Sequence, residues 1–149
     1  MFHRSLLGLF FALALVARAA DDSLARYEHV VVEPAKTSIY VGSVTMSFSP
    51  STRTAGVFEA DYNAKVFPYF FMSEKGKLYL DAPDETLRKL ARGETVEFAG
   101  RGVSESGKPR RFDGTAKPSG ATSGNLKVRA YVSKRIELVF DMTYRFAPK

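Results

Sequence analysis

The chain has 149 residues, with 22 Lys and Arg against 16 Asp and Glu, and it has no cysteine. A chain of this length supports a single domain with its own hydrophobic core. The lack of cysteine excludes disulfides, thiol catalysis, thiolate metal sites and lipid attachment at a cysteine. The modest positive charge allows contact with anionic surfaces, but ordinary solubility accounts for it equally well.

The first 19 residues have the pattern of a secretory signal peptide. Arg4 gives a positive start, residues 6–16 form an apolar run of 11, and residues 17–19 (Ala-Arg-Ala) suit signal peptidase. We predict cleavage after Ala19, a single mature domain over residues 20–149, and a periplasmic or extracellular location. Loss of the two arginines in this segment leaves 20 basic residues against 16 acidic ones. Elsewhere no apolar run approaches the roughly 20 residues of a spanning helix, so none is predicted.

The first half of the mature chain alternates apolar and polar residues in short stretches, as strands with one buried face do. We describe a pairing by its index sum, which is the sum of the residue numbers of two opposed residues. If the stretches at residues 38–48 and 56–66 pair with an index sum near 104, Gly42 lies opposite Tyr62, whose ring would cover the glycine. A cluster of turn formers at residues 49–52 separates these two strands. The predicted strands cover residues 27–32, 38–48 and 56–66.

The densest aromatic stretch is Phe67 to Met72. Pro68 must end the preceding strand there, because it cannot donate to a strand ladder. Exposed at a barrel mouth, this stretch would meet an apolar ligand or a membrane surface. We expect instead that it is buried and plugs one end of the fold, because large apolar patches are rarely left open.

One helix is predicted over residues 83–92. Pro83 suits a first helical turn, Asp84 and Glu85 lie at the positive end of the helix dipole, and Gly93 ends the helix. Its few apolar residues share one face, which is enough to close another element but not to form a core.

A hairpin follows, with strands over residues 96–102 and 111–117. An index sum of 214 places Glu97 opposite Lys117 and Arg101 opposite Asp113, which are two favourable charge pairs. This register predicts a loop at residues 106–108.

The same register places Gly100 directly opposite Gly114 on the apolar face. Two opposed glycines leave room for a ligand, or they mark a bend that a ring such as Phe70 or Phe71 covers. We expect the covered bend. For a cavity, the candidate ligand-binding residues are Gly100, Gly114, Phe67, Tyr69, Phe70 and Phe71.

The clearest pattern is at residues 125–146, where even positions are apolar and odd positions are mostly polar. An index sum of 268 leaves residues 133–135 as the loop and sets Lys127 opposite Asp141. The whole pattern predicts a mainly β fold: an antiparallel meander of eight or nine strands with one short helix. Such a meander closes as a small barrel or folds as a sandwich.

Residues for catalysis are scarce. His29 is the only histidine left after cleavage, and the chain has no Gly-rich phosphate loop, no GxSxG motif and no HExxH motif. We therefore predict a non-enzymatic protein without a metal or cofactor.

Basic side chains concentrate in the second half of the chain. Few aromatic residues are interleaved with them, so nucleic acid is not predicted as a partner, whereas an anionic envelope component fits. The candidate basic surface consists of Arg101, Arg111, Lys127, Arg129 and Arg135.

Three functions are compatible with these patterns. The first is a structural or interaction role in the cell envelope. The second is a barrel-type module that binds an apolar or anionic, lipid-like small molecule. In architecture alone such a module resembles the lipocalins and the polyisoprenoid-binding barrels of the bacterial periplasm, with no motif of either family present. The third is a small outer-membrane β-barrel, although several strands are shorter than the roughly 9–11 residues that span a bilayer.

Overall fold

A closed antiparallel β-barrel of eight strands is the central feature of the computed structural model, which describes residues 24–147. The signal peptide predicted at the N-terminus lies outside the described residues. The mainly β class is confirmed, as a barrel and not a sandwich. The strands are β1 (His29–Val32), β2 (Ala35–Ile39), β3 (Gly42–Phe48), β4 (Ser51–Thr54), β5 (Val57–Phe67), β6 (Glu74–Asp81), β7 (Val96–Ser104), β8 (Pro109–Pro118), β9 (Ser123–Tyr131) and β10 (Glu137–Phe146), and the helix is α1 (Asp84–Ala91).

The barrel closes because β5 pairs with β6 on one edge and with β4 on the other. From β4 the ring continues to β1 and β10, then back through β9, β8 and β7 to β6. β3 lies beside the second half of β5, and β2 pairs with β3. The β2–β3 hairpin therefore lengthens one side of the barrel. Closure leaves no free edge between the eight ring strands.

Side-chain direction follows residue number over most of the barrel. From β5 to β10 the even-numbered residues point inward, and odd-numbered positions carry most of the charged side chains. This matches the two-residue period of a strand. The inward residues that are almost fully buried include Tyr62, Phe112, Val128, Phe140 and Met142.

The pairing predicted for the last hairpin is confirmed throughout. β9 and β10 pair with the predicted sum of 268, so Val128 lies opposite Phe140 and Lys127 lies opposite Asp141. The turn between them contains residues 133–135, as predicted. This pairing succeeds because a shift by one residue would turn the apolar face toward solvent.

The register predicted for the β7–β8 hairpin is wrong by two residues. Gly100 lies opposite Phe112, and Gly114 lies opposite Phe98, so the two glycines do not face each other. Each glycine is thus opposite a phenylalanine. A shift of two residues keeps the same side chains inside, so it changes which residue each ring faces and not which face is buried. An exposed cross-strand charge pair contributes at most about 1 kcal/mol, which is too little to fix the register by itself.

The prediction for residues 38–48 as one strand is also wrong. A turn at Tyr40 and Val41 divides this stretch into the end of β2 and all of β3. Consequently Tyr62 lies opposite Phe48 on one side and Gly76 on the other, not opposite Gly42. A ring does cover a glycine as expected, but the glycine belongs to β6.

The predicted turn cluster at residues 49–52 contains a bulge and the start of β4. Between β3 and β4, residues 49–51 face only residues 60–61 of β5, so one extra residue is inserted. Ser49 repairs the ladder, because its hydroxyl accepts a hydrogen bond from the Asp61 N–H at 2.8 Å. The bulge reverses side-chain direction, so in β4 the odd-numbered residues point inward.

Helix α1 confirms the prediction for residues 83–92 and closes one end of the barrel. Leu87 is fully buried there against Tyr27, Phe58 and Ala82. Arg53 of β4 fixes the start of the helix: its Nε donates to the Ala82 carbonyl at 2.8 Å and its Nη2 to the Asp84 carboxylate at 2.6 Å. We call the end of the barrel that α1 closes the helix end.

The opposite end, which we call the open end, is formed by four connections between strands. They cover residues 40–41, 68–73, 105–108 and 132–136. Within residues 24–147, the one helical segment at this end is a single 3-10 turn, Phe70–Met72, in the connection between β5 and β6.

We predict that Phe140→Ala lowers the free energy of unfolding by about 3–5 kcal/mol, because the ring is fully buried and its loss leaves a cavity. Lys127→Ala on the outer face of the neighbouring strand should cost less than about 1 kcal/mol. Urea unfolding of both variants checks the faces of β9 and β10. Equal costs would contradict the assignment.

We also predict that Gly114→Ala destabilises the barrel by about 1–3 kcal/mol, because the added methyl group would collide with the Lys127 carbonyl and with Phe98 Cζ at 2.8 Å. Gly120→Ala is the matched control, since its methyl group would meet only the movable Ser123 hydroxyl at 3.3 Å. The control should change stability by no more than about 0.5 kcal/mol. Thermal unfolding that ranks the two variants in the other order would contradict this packing.

Candidate functional site: a pocket at the open end of the barrel

The barrel interior contains two separate spaces that share Phe112 as a wall. The Phe112 ring lies 5.4 Å from the Tyr62 ring, centroid to centroid. Toward the helix end the space is an apolar cavity of about 100 Å³. Toward the open end it is a pocket of about 540 Å³, which is within the range of about 300–1,000 Å³ typical of small-molecule sites.

The walls of the open-end pocket are largely apolar. They come from strands on opposite sides of the barrel, so the pocket exists only because the sheet closes. Met72 of the aromatic stretch also contributes. The apolar wall residues on strands are Ile39, Val44, Met46, Ala64, Val66, Phe112, Ala130 and Leu138.

A polar cluster interrupts this apolar wall. Arg110 Nε lies 3.2 and 3.1 Å from the two carboxylate oxygens of Glu74, and Arg110 Nη2 donates to Oε1 at 2.8 Å. The Tyr62 hydroxyl donates to Glu74 Oε2 at 2.8 Å. The Arg110 and Glu74 side chains are only 23% and 25% exposed, so the pair is partly shielded from water. We call these three residues the polar triad.

Arg110 also connects the triad to the rim of the pocket. Its Nη1 donates to the carbonyl of Val132 at 3.2 Å, in the connection between β9 and β10. The guanidinium therefore fixes both the Glu74 carboxylate and one of the loops of the open end. Such multiple hydrogen bonding is characteristic of the planar arginine side chain.

The environment of the triad shifts the pKa of its members. Burial raises the pKa of Tyr62 strongly, and the adjacent Glu74 carboxylate raises it further. Burial alone would raise the pKa of Glu74, but hydrogen bonds from Arg110 and Tyr62, with the charge of Arg110, hold it below its usual value. At neutral pH the triad therefore holds a protonated tyrosine, an ionised carboxylate and a guanidinium, with no net charge.

The aromatic stretch lies at the mouth of the pocket but is not buried, so the prediction that it plugs the barrel is wrong. Phe70 is 62% exposed and Phe71 is 85% exposed. The stretch begins at the last residue of β5, and its rings pack edge to face, Phe67 with Phe70 and Tyr69 with Phe71.

Large exposed apolar side chains surround this mouth. We call them the apolar rim. They belong to three of the four connections at the open end and to the last residue of β5. The apolar rim consists of Tyr40, Val41, Phe67, Tyr69, Phe70, Phe71, Met72, Val132 and Ile136.

The two candidate glycines do not line either interior space. Phe98 covers Gly114, and the Tyr79 carbonyl would lie 2.8 Å from a methyl group on Gly100. The ring that covers Gly114 is therefore Phe98, and not Phe70 or Phe71 as expected.

The candidate basic residues lie on the outer surface. Arg101 and Arg111 are neighbours across the β7–β8 ladder, and Arg111 stacks on the Tyr131 ring at 3.9 Å. Acidic side chains partly neutralise this surface: Arg129 Nε lies 2.6 Å from Asp113, and Arg101 lies 3.6 Å from Asp81. Lys127 lies on the same face as Arg129, whereas Arg135 lies in the β9–β10 connection at the open end.

The sequence analysis does not predict the polar triad, although the even residue numbers of Glu74 and Arg110 indicate inward-pointing side chains. Arg110 and Glu74 are even-numbered residues in strands whose even positions point inward. A charged residue at an inward position needs a partner. The predicted strand begins only at Arg111, and no predicted strand includes Glu74, so the sequence does not place either side chain inside.

A larger depression of about 860 Å³ lies on the outer face near the bulge. Its lining includes Asp61, Lys75 and Lys77, and it is open to solvent. We regard the open-end pocket as the candidate site, because its largely apolar walls could surround an apolar ligand on several sides.

We predict that the stabilising effect of Glu74 depends on pH. A carboxylate whose pKa is lowered in the folded state stabilises the fold above its ordinary pKa, here 4.5, and loses this effect as the pH falls through the lower folded value. Wild type should therefore exceed Glu74→Gln in stability at about pH 7, and the difference should shrink at about pH 3. Urea unfolding of both proteins at each pH measures it.

The Arg110→Gln background provides the control for this measurement. Without the guanidinium, the main interactions that lower the pKa of Glu74 are gone. In that background, Glu74→Gln should cause a smaller pH-dependent change in stability. A wild-type advantage that grows as the pH falls would contradict the ionised triad.

No known protein family, curated protein or solved structure matches this chain. Within residues 24–147, no group of three or more histidine, aspartate or glutamate side chains is arranged to hold a metal ion. Among the helices of the same residues, none is long and apolar enough to cross a membrane. The open-end pocket and its polar triad are the features from which we infer a function.

Proposed function

We propose that this protein is a secreted, non-enzymatic binding module that holds an elongated, lipid-like molecule in the open-end pocket. The observation that supports this most directly is the pocket itself: about 540 Å³ of largely apolar space inside a closed barrel, with the polar triad on its wall. Sites of this kind use apolar walls for affinity and a few placed polar groups for orientation.

The triad suits a small polar head group on an otherwise apolar ligand. Arg110 can donate from N–H groups beyond those that Glu74 and Val132 use, and the Tyr62 oxygen can accept a hydrogen bond. The apolar walls on Val44, Met46 and Leu138 suit a hydrocarbon chain or ring system. The predicted location outside the cytoplasm, which rests on the N-terminal sequence pattern, would give such a module access to envelope lipids.

The outer face of the barrel favours this proposal over a membrane-spanning barrel. A spanning barrel presents an apolar band to lipid. Here the mid-strand outer positions carry ion pairs, such as Lys77 with Asp61 at 3.2 Å and Arg129 with Asp113 at 2.6 Å. Placing these side chains in hydrocarbon would be costly.

A structural or interaction role in the envelope is the second candidate. The adjacent Arg101 and Arg111 on the outer face support it, because they form a positive surface away from the pocket. Asp81 and Asp113 reduce its net charge, and for that reason we place this role second.

We predict that the protein takes up N-phenyl-1-naphthylamine, a neutral apolar fluorescent dye, in a one-to-one complex. Ala64→Phe should reduce this uptake by roughly tenfold or more, because the added ring occupies a wall position of the open-end pocket. Fluorescence titration in lipid-free solution measures it. The matched control is Ala99→Phe, which adds the same ring to the exposed outer face of β7 and should leave uptake unchanged.

Thermal unfolding of both variants shows whether each still folds. If folded Ala64→Phe binds the dye as well as wild type, the ligand does not occupy this pocket. Absence of stoichiometric uptake by wild type would favour the structural role instead.

A further inference from the structure

Exposed apolar side chains are concentrated at one end of the molecule. Of the eleven large hydrophobic residues that are exposed within residues 24–147, nine belong to the apolar rim. The other two, Val103 and Val139, lie on strands. Soluble proteins rarely leave such a concentration without a partner.

Charge at the open end has one prevailing sign. The four connections there contain Lys108, Lys134 and Arg135 but only one acid, Glu105, which gives a net charge of +2. The connections at the helix end, residues 55–56, 82–95 and 119–122, contain three basic and three acidic residues. The apolar end of the barrel is therefore also the more positive end.

We infer that the open end docks on the surface of an anionic lipid bilayer, with the apolar rim inserted at the headgroup level. Aromatic and aliphatic side chains flanked by basic ones are the combination that binds such interfaces. Phe70 and Phe71 are the most prominent side chains for insertion after Tyr40, and Lys134 and Arg135 lie in the same connection as Val132 and Ile136. Basic residues near an anionic leaflet strengthen binding further.

A second copy of the chain fits this surface less well. In a symmetric contact between two open ends, the positive end of one copy, with its Lys134 and Arg135, would face the positive end of the other, because a twofold interface uses one patch twice. Like charges brought together oppose association. Anionic lipid headgroups instead complement the same residues.

Docking in this orientation would place the mouth of the pocket against the bilayer. Met72 belongs both to the apolar rim and to the pocket wall, so the two surfaces are continuous. Any lipid-like ligand could then move between bilayer and pocket without crossing water. The docking itself rests on the exposed rim and its charge, and it does not require the proposed ligand.

Co-sedimentation with vesicles tests this inference. The mature protein should bind vesicles of phosphatidylcholine with phosphatidylglycerol, and binding should weaken as salt is raised. Vesicles of phosphatidylcholine alone should bind less. The double variant Phe70→Ser/Phe71→Ser should lose roughly tenfold or more in vesicle affinity, because two inserted rings are removed. Lys134→Glu/Arg135→Glu should lose binding mainly to the anionic vesicles.

Two variants on the barrel wall are the matched controls. Val139→Ser removes an exposed apolar side chain that is not part of the apolar rim, and Lys127→Glu reverses an exposed charge in the middle of β9. Both should bind vesicles as wild type does. Dye uptake without vesicles should persist in Phe70→Ser/Phe71→Ser, which separates docking from pocket binding.

Several results would overturn the inference. Wild type that does not sediment with anionic vesicles at low salt would exclude docking, whatever the dye titration shows. If the wall controls and the rim variants lose vesicle affinity equally, the apolar rim is not the contact surface. A dimer in sedimentation equilibrium that Phe70→Ser/Phe71→Ser abolishes would identify the rim as a contact between two copies.

Discussion

Closure of the sheet, made by the ladder between β5 and β6, is the constraint on which the rest of the structure depends. Once the eight strands form a ring, every strand position must point either into a narrow interior or out to solvent. That division fixes the core, with Phe140 fully buried, and it fixes the polar outer face. It also determines how much space is left inside. Where the large rings of Tyr62 and Phe112 meet, the interior is filled, and toward the open end, where Ala64 and Ala130 take the inward positions, it is not.

The polar triad places an ion pair on the wall of this space, and stability alone does not account for it. A partly buried ion pair contributes little compared with apolar side chains of the same size, because both charges lose hydration. Glu74 and Arg110 nevertheless occupy inward positions, and Tyr62 completes their hydrogen bonding. A polar head group of a ligand would give this pair a use that a purely structural wall would not require. The link from Arg110 to Val132 extends the same network to the mouth, so a ligand that disturbs Arg110 would also act on a loop of the apolar rim.

The alternation of apolar and polar residues along the chain predicts much of this fold, and the errors of this prediction have a common physical origin. The pairing of β9 with β10 follows from the sequence because an apolar face of this length has only one way to be buried. The errors in the first half of the chain arise at two places. At the Ser49-Pro50 bulge the inward side chains change from even-numbered to odd-numbered residues, and at Tyr40 and Val41 a tight turn divides the predicted strand. The predicted register of β7 on β8 is wrong because it rests on cross-strand charge pairs, whereas in the barrel Phe98 and Phe112 pack against glycines. The site was harder to predict, since Tyr62, Glu74 and Arg110 come from three strands and meet only when the barrel closes.

The two ends of the barrel show why the exposed aromatic stretch matters. At the helix end, Leu87 seals the interior and Arg53 holds the helix by its first turn, so the apolar interior is shielded from water. At the open end the chain has enough aromatic side chains to cover the barrel interior, namely Phe67, Tyr69, Phe70 and Phe71. Those rings instead pack edge to face on one another and remain in solvent. Burying two phenylalanine rings would favour folding by several kcal/mol, roughly 1.5–3 for each. The fold buries its apolar side chains at the helix end but leaves these rings exposed at the open end. This difference is better explained by a surface that becomes buried on contact with a partner. An anionic bilayer matches the apolar rim and its positive charge.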